Sequence, residues 1–385
     1  MAIARVAVRR PVLEWAQQRG RHDNEAMRRR FPAWDRWVAE DVHPTVKQAQ
    51  DLAAYTHVPF GMLLLETPPT VELPIPDFRV TGTGIAEPSQ ELLDTIHLNQ
   101  QRQGWFEDYL TSWGEDELAF VGSARGMEPT DAAALIRTAL RYDLPERSKL
   151  RSNDEARKHL VRAFEALGGL AVLSSMVGNN THRLLDREEF RGFTLRSATA
   201  PLVFVNANDT KAGQVFSLLH EFAHVWHGDS GVSVGGEPLE EATTDIERWC
   251  DTVAAEIAVP RDDLVIRFDA TAPRTQELER LASYYRCSTL VVLIRLRDVR
   301  LVPQEGFATA YRDEVDRLLT LLGETKRTPG GDFYNNQPFR IGERLSRALI
   351  SETRRGATPV TDAVRLMAFS SPRLFDEYAS RLEGR

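Results

Sequence analysis

Two histidines four residues apart, in an apolar and helix-forming stretch, constrain this chain more than any other feature of its sequence. His220 and His224 lie within the segment Phe216–His227. Residues four apart on a helix project from the same face, so the two imidazoles would lie close enough to share one metal ion. Glu221 follows the first histidine and is placed to accept a proton from water without binding the metal itself. The sequence therefore predicts a buried metal-binding helix, with zinc as the cofactor.

A second helix supplies the remaining ligand. A catalytic zinc site has three protein ligands and one position open to water, and the predicted helix Thr243–Ala258 offers four acidic side chains, Asp245, Glu247, Asp251 and Glu256. Glu247 is the predicted third ligand. Asp251 follows it by one helical turn and is predicted to orient a ligating imidazole through its other ring nitrogen. Together with Glu221 as general base, this H-E-x-x-H arrangement is typical of zinc peptidases.

Several neighbouring residues admit other interpretations. His227 is interpreted as a helix-end histidine, because Ser230 occupies the position where a three-histidine metalloprotease motif requires its last ligand. Cys250 is interpreted as a small buried residue and not as a ligand. Stabilisation of an oxyanion would need a further donor, for which Tyr284, Tyr285 and His182 qualify by residue type only.

Composition indicates a globular protein of a reducing compartment. The chain has 385 residues, a net charge of −8 and two cysteines, too few for a disulfide framework. No apolar run approaches the roughly 20 residues of a membrane span, and the N-terminus has no continuous apolar core of a signal peptide. A cytoplasmic location without membrane partners is expected.

The hydrophobic pattern predicts an α+β fold. Short helices occupy the first 67 residues, including Trp34–Glu40 and Thr45–Thr56, and a proline-rich connector covers residues 68–87. Residues 88–328 combine long helices with three predicted strands, Leu170–Ser174, Phe190–Leu195 and Leu202–Asn206, the last interpreted as an edge strand. Residues 329–385 form a helical C-terminal segment.

The two zinc motifs resemble those of the ImmA/IrrE family of bacterial zinc metallopeptidases. In the second motif of that family, approximately E-x-x-A-N-x-F-A-A-x-L-L-M-P, Glu247 falls on the family's ligand and Pro260 on its final proline. Cys250, Asp251 and Val253 replace its alanine, asparagine and phenylalanine. Flanking segments, among them Glu14–Ala16, Val58–Phe60, Pro74–Arg79 and Gly330–Tyr334, are similar to a long subgroup in which an XRE-type helix-turn-helix module precedes a zincin-like peptidase domain.

This resemblance implies a zinc-dependent endopeptidase that cleaves an intracellular regulatory protein, such as a repressor or an antitoxin. Stress-response, mobile-element and toxin–antitoxin settings are common in the family. The alternative is a DNA-binding transcriptional regulator or antitoxin component whose zinc site is structural or serves sensing.

The N-terminal module could bind either DNA or protein. Its tryptophans Trp34 and Trp37 are expected to pack a small core, which leaves basic side chains as candidates for contact with phosphate. These candidates are Arg28, Arg29, Arg30 and Arg36. An arginine triplet is also a common feature of a solvated helix surface, so recognition of a protein by the same module remains the competing interpretation.

Overall fold

The computed structural model describes residues 4–77, 87–234, 244–324 and 332–384. The predicted boundary between residues 328 and 329, the Pro-Gly-Gly sequence at 329–331 that follows it, and the later half of the connector lie outside these ranges. Contacts divide the chain into two compact units, one of Met1–Pro74 with Ala86–Ile96, the other of Ile75–Ile85 with His97–Arg385.

The N-terminal unit is built from short helices around two tryptophans. Its elements are α1 (Arg10–Arg19), α2 (Asn24–Arg30), α3 (Trp34–Val38), α4 (Val46–Thr56) and a 3-10 helix, Phe60–Leu64. Trp34 and Trp37 are each 1% exposed, which confirms their predicted place in the core. Thr45 caps α4 as the sequence indicates: its hydroxyl accepts from the Gln48 backbone N–H, and the Gln48 side chain accepts from the Thr45 backbone N–H.

A four-stranded sheet forms the centre of the larger unit. Its strands are β1 (Leu170–Ser174), β2 (Phe190–Leu195), β3 (Leu202–Asn206) and β4 (Gly231–Val234). They lie in the order β1-β3-β2-β4, with β1 parallel to β3 and the other two pairs antiparallel. The mixed α+β class expected from the sequence is confirmed.

The prediction that Leu202–Asn206 is an edge strand is wrong. β3 lies between β1 and β2, and all five of its residues are buried. A continuous apolar run is typical of a strand covered on both faces, because neither face meets water. The edges of the described sheet are β1 and β4, and the sequence analysis did not identify β4.

Helices surround this sheet. They are α5 (Gln90–Trp113), α6 (Pro129–Ala139), α7 (Leu144–Ser148), α8 (Asn153–Ala166), α9 (Lys211–His227), α10 (Asp245–Ala258), α11 (Arg261–Arg267), α12 (Arg274–Tyr285), α13 (Thr289–Asp298), α14 (Phe307–Glu324), α15 (Phe333–Ile341), α16 (Glu343–Arg354), α17 (Val360–Leu366) and α18 (Pro372–Glu383). Within the predicted helical segment 329–385, Gly342 has φ of 92° and separates α15 from α16. None of the described helices is long and apolar enough to cross a membrane.

Helix α9 is the element that carries the predicted metal site into the core. It packs against β2 and β3 on one side and against α8 and α10 elsewhere. Every residue from Ser217 to Trp226 is buried. The two predicted metal-binding segments are therefore neighbouring helices of one hydrophobic core, which is the packing that a shared site requires.

A buried arginine joins the ends of α10 and α12. The Arg147 guanidinium is 1% exposed and donates to the backbone carbonyls of Ile257, Ala258, Tyr285 and Tyr142. Ile257 and Ala258 end α10, and Tyr285 ends α12, where carbonyls lack intrahelical partners. Burial lowers the pKa of Arg147, because it removes water from around the charged guanidinium. The hydrogen bonds to four carbonyls offset this cost of burial.

We expect Arg147→Met to lower the free energy of unfolding by about 3–5 kcal/mol, because it removes hydrogen bonds from several buried carbonyls together. Denaturant-induced unfolding followed by circular dichroism measures the loss. Arg162→Met is the matched control, since Arg162 is an exposed arginine of the same unit and should change stability by less than about 0.5 kcal/mol. Equal stability of the two variants would contradict the role of Arg147.

Candidate metal centre

The helix that carries the H-E-x-x-H motif has well-defined ends. Thr210 precedes α9, and its hydroxyl accepts from the Gly213 backbone N–H at 3.0 Å. Gly228 follows α9 with φ of 89°, and its N–H donates to the His224 carbonyl at 2.8 Å. The helix predicted from the apolar periodicity is therefore formed almost to the residue, and His227 is its last residue.

Three predicted ligands converge between α9 and α10. His220 Nε2 and His224 Nε2 are 3.1 Å apart. The Glu247 carboxylate approaches both, with Oε2 3.2 Å from His220 Nε2 and Oε1 2.9 Å from His224 Nε2. All three residues are buried, and they form a cluster of side chains able to hold a metal ion in the described part of the chain.

The chemistry of this donor set fits a metal cation. Burial alone would raise the pKa of Glu247, but the two imidazoles outweigh it and hold that pKa well below its usual range, so the carboxylate is ionised. Asp251 Oδ1 lies 2.8 Å from His220 Nδ1, so it can accept the Nδ1 hydrogen while Nε2 acts as the ligand atom for a metal that displaces the other proton. Two imidazole nitrogens and one carboxylate are a known ligand set of catalytic zinc.

Asp251 lies where the sequence places the orienting carboxylate. Its side chain is half exposed, whereas that of His220 is 8% exposed. A carboxylate bonded to the outer nitrogen of a ligating imidazole fixes the ring orientation and raises its basicity.

Asp251→Ala should weaken zinc binding about 10–100-fold, because the imidazole loses this support while all three ligands remain. Competition with a chromogenic chelator measures the affinity. Asp245→Ala is the control, since Asp245 lies on the same helix with its side chain 95% exposed. A loss that was equal in both variants would argue against an orienting role for Asp251.

Glu221 lies beneath the cluster and is held by the sheet. It is 1% exposed, and burial raises its pKa, with His224 and His220 partly offsetting that rise. Thr194 of β2 donates its hydroxyl hydrogen to Glu221 Oε2 at 2.7 Å. The carboxylate is thus fixed by a side chain from the sheet while it sits beside both histidines.

Two residues of β2 that the sequence analysis missed shape the surroundings of Glu221. Gly192 and Thr194 are two apart, so they face the same side of the sheet. A Cβ on Gly192 would lie 2.5 Å from Glu221 Oε1 and 2.7 Å from the Phe204 carbonyl oxygen, so only glycine permits this approach. A glycine and a threonine two residues apart in the predicted strand Phe190–Leu195 were the available signal.

The other side chains considered in the sequence have different surroundings. Cys250 is fully buried, as predicted, and burial raises the pKa of its thiol well above the usual value. Asp229 pairs with His227 Nδ1, and Trp249 packs on the His227 ring. Glu256 forms a buried ion pair with Arg295.

The three oxyanion candidates have contacts of their own. The Tyr285 hydroxyl donates to Asp263 Oδ2 at 2.8 Å. The Arg267 guanidinium packs over the Tyr284 ring, with its Cζ 4.0 Å from the ring centroid. His182 is exposed.

The predicted basic residues of the N-terminal unit are all exposed. Arg28 forms an ion pair with Asp35, its Nε lying 2.9 Å from Oδ1. Arg30 lies over the rings of Phe31 and Tyr55, at 5.6 and 5.9 Å from their centroids. Together with Arg29 and Arg36, these residues give the surface of α2 and α3 a basic character.

Comparison with known protein families bears on the larger unit. Residues 170–297 match the family model described as Peptidase_M78, IrrE N-terminal-like domain. The match supports the ImmA/IrrE family. It includes β1–β4 and α9–α13, and therefore all residues of the metal cluster together with Glu221. An IrrE-like domain here supports a metallopeptidase-family function, and such a family implies a metal. No curated protein and no solved structure matches the chain.

Proposed function

We propose that this protein is a zinc-dependent metalloendopeptidase that cleaves an intracellular regulatory protein, a repressor or an antitoxin, and that a helix-turn-helix module is coupled to the peptidase. The observation that carries the proposal is the convergence of His220, His224 and Glu247 on one point, with Glu221 buried beside them. The match of this region to an IrrE-like domain supports the same conclusion.

The roles of the residues follow from their positions. His220, His224 and Glu247 would hold zinc, and Asp251 would orient His220. Bound zinc supplies a Lewis acid, which lowers the pKa of a water molecule and polarises the scissile carbonyl. Glu221 accepts the proton of the attacking water as its oxygen bonds to the carbonyl carbon. It then passes the proton to the amide nitrogen as the C–N bond breaks.

Thr194 has a positioning role in this scheme. Its hydroxyl binds one oxygen of Glu221, so the carboxylate cannot rotate freely toward the ligands.

The test of the substrate class is direct. The zinc-loaded protein is incubated with the product of the adjacent gene and with an unrelated unfolded protein, and fragments are identified by mass spectrometry. Specific cleavage of the neighbouring product, abolished by a chelator and restored by zinc, is the expected result. A zinc-loaded protein that cleaves neither would overturn the proposal and favour a sensing or structural zinc site in a regulator.

DNA binding by the N-terminal module is the second candidate function, favoured by the exposed arginines of α2 and α3. Replacing Arg28, Arg29 and Arg30 by alanine should flatten the slope of log affinity against log salt by roughly one to two units, because neighbouring positions on a helix are about 100° apart and at most two can face one phosphate strand. Duplex binding by the full-length protein at several salt concentrations measures this slope. Absence of any affinity for its own promoter at low salt would leave protein recognition as the role of the module.

A further inference from the structure

The strand β4 forms an edge of the described sheet, directly beside the candidate catalytic base. Among the strands of the described sheet its neighbour is β2, with Ser233 opposite Gly192 and Val232 opposite Phe193. Gly192 leaves no room for a Cβ beside Glu221 Oε1, and the Ser233 side chain lowers the pKa of the Glu221 carboxyl through a hydrogen bond. The outer edge of β4 therefore runs within one strand spacing of the residues that surround Glu221.

An edge strand is a template for an extended peptide. Its unpaired N–H and C=O groups can form a ladder with an added strand, in which backbone hydrogen bonds give the affinity. A peptide that adds to β4 would be held in the extended form that an endopeptidase requires, with its backbone alongside the region of Glu221.

A segment of this chain already occupies that edge. The Val232 N–H donates to the Pro76 carbonyl at 3.0 Å, and Asp77 forms a parallel bridge with Val232. Residues Ile75–Ile85 group with the larger unit, whereas Met1–Pro74 and Ala86–Ile96 group with the N-terminal unit. The residues that pair with the edge of β4 are therefore those at which the connector passes into the larger unit.

The composition of this segment favours reversible binding. Pro74 and Pro76 fix φ near −65°, which preorganises an extended conformation. Pro76 has no N–H, so it can contribute only a carbonyl to the ladder. The Pro76 carbonyl accepts a backbone hydrogen bond from Val232 of β4. An extended peptide without proline could also donate its N–H groups along this edge and displace the segment.

We infer that Ile75–Asp77 forms an autoinhibitory strap, which occupies the edge of β4 where an extended peptide substrate adds, so that cleavage requires its displacement. This inference rests on the proposed peptidase function for its consequence, but the strap and its displacement can be measured without catalysis. The strap is covalently continuous with the N-terminal unit. Binding of a partner to the N-terminal unit would therefore displace the strap from β4.

The test compares two double variants of the full-length protein. Pro74→Gly/Pro76→Gly makes the strap flexible, and Pro68→Gly/Pro69→Gly removes two prolines from the same connector without touching β4. Pro74 and Pro76 are both exposed, so the variant should retain the fold. Its zinc content verifies that the fold is retained. Hydrogen exchange at the Val232 amide should accelerate about tenfold in the strap variant and remain unchanged in the control.

A peptide added in trans gives the second measurement. A fluorescent peptide with the sequence Val71–Asp77 is titrated into metal-free protein and followed by anisotropy. It should bind about tenfold more tightly to the strap variant than to the wild type or the control, because the competing internal segment is released less often in those two proteins. The same strap variant should cleave a pool of quenched fluorescent peptides faster than the control, and the added peptide should inhibit it.

The outcomes separate the strap from the peptidase function. Equal Val232 exchange and equal peptide affinity in all three proteins would overturn the strap. Faster exchange without tighter peptide binding would also overturn it, because the segment would then only protect the edge. If both increase but zinc-loaded protein cleaves no peptide, the strap is upheld as a peptide-binding device and the proposed peptidase function fails.

Discussion

Glu221→Gln is expected to leave zinc content at about one ion per chain and to reduce peptide cleavage by about 10²–10⁴-fold, the usual contribution of a general base. The amide has nearly the shape of the carboxylate and can still accept the hydrogen bond from Thr194. It cannot take a proton from water, so the substitution removes one chemical step and little else. Zinc is measured by atomic absorption. Cleavage is measured by single-turnover kinetics on the substrate that the cleavage test with the adjacent gene product identifies.

A second substitution separates the chemistry of Glu221 from its position. Thr194→Val removes the hydroxyl that binds Glu221 Oε2 but preserves the carboxylate. Cleavage should fall less than in Glu221→Gln, and its dependence on pH should shift, because the carboxyl loses a hydrogen bond that favours its ionised form. Full activity of Glu221→Gln at normal zinc content would contradict the assignment of Glu221 as the base.

The parts of the site that the sequence predicted are those determined by local spacing. Residues four apart on α9 had to share a face, and the apolar residues around them had to be buried. Asp251 follows Glu247 by one turn of α10, so the two carboxylates reach neighbouring positions along α9. These relations within each helix depend on helix geometry alone, whereas the meeting of Glu247 with His220 and His224 requires the packing of α10 against α9.

The strand order could not be predicted in the same way. Pairing of β3 with β1 joins strands that are not consecutive in sequence, and a short apolar run carries no signal that distinguishes a central position from an edge. The described part of β4 is Gly231–Val234, and a segment of this length gives little evidence of a period of two. Because β4 and β2 supply the surroundings of Glu221, this part of the site could emerge only from the tertiary structure.

Arg147 illustrates a different limit. Arginine is usually exposed, and nothing in the sequence Leu144–Ser148 distinguishes it from a solvated residue. Its burial follows from the meeting of two helix ends whose carbonyls need donors.

Helix α14, in contrast, shows an apolar spacing of three and four residues over Phe307–Leu321. This spacing predicts a helix, so α14 could have been identified from the sequence.

His224→Ala is expected to abolish stoichiometric zinc binding and, with it, cleavage. His224 is 0% exposed, and its Nε2 lies within 3.1 Å of His220 Nε2 and 2.9 Å of a Glu247 oxygen, so its loss removes one corner of a three-ligand set. Glu247→Ala should behave in the same way, because it removes the anionic ligand. His227→Ala is the matched control, since it removes a histidine from the same helix that pairs with Asp229 and should leave zinc content unchanged. Zinc per chain after dialysis, with folding verified by circular dichroism, decides the matter. One result would mean that Glu247 is not the third ligand: a folded Glu247→Ala protein retains zinc, and replacement of Asp245 or Glu256 abolishes zinc binding. The metal would then be held by another carboxylate of α10.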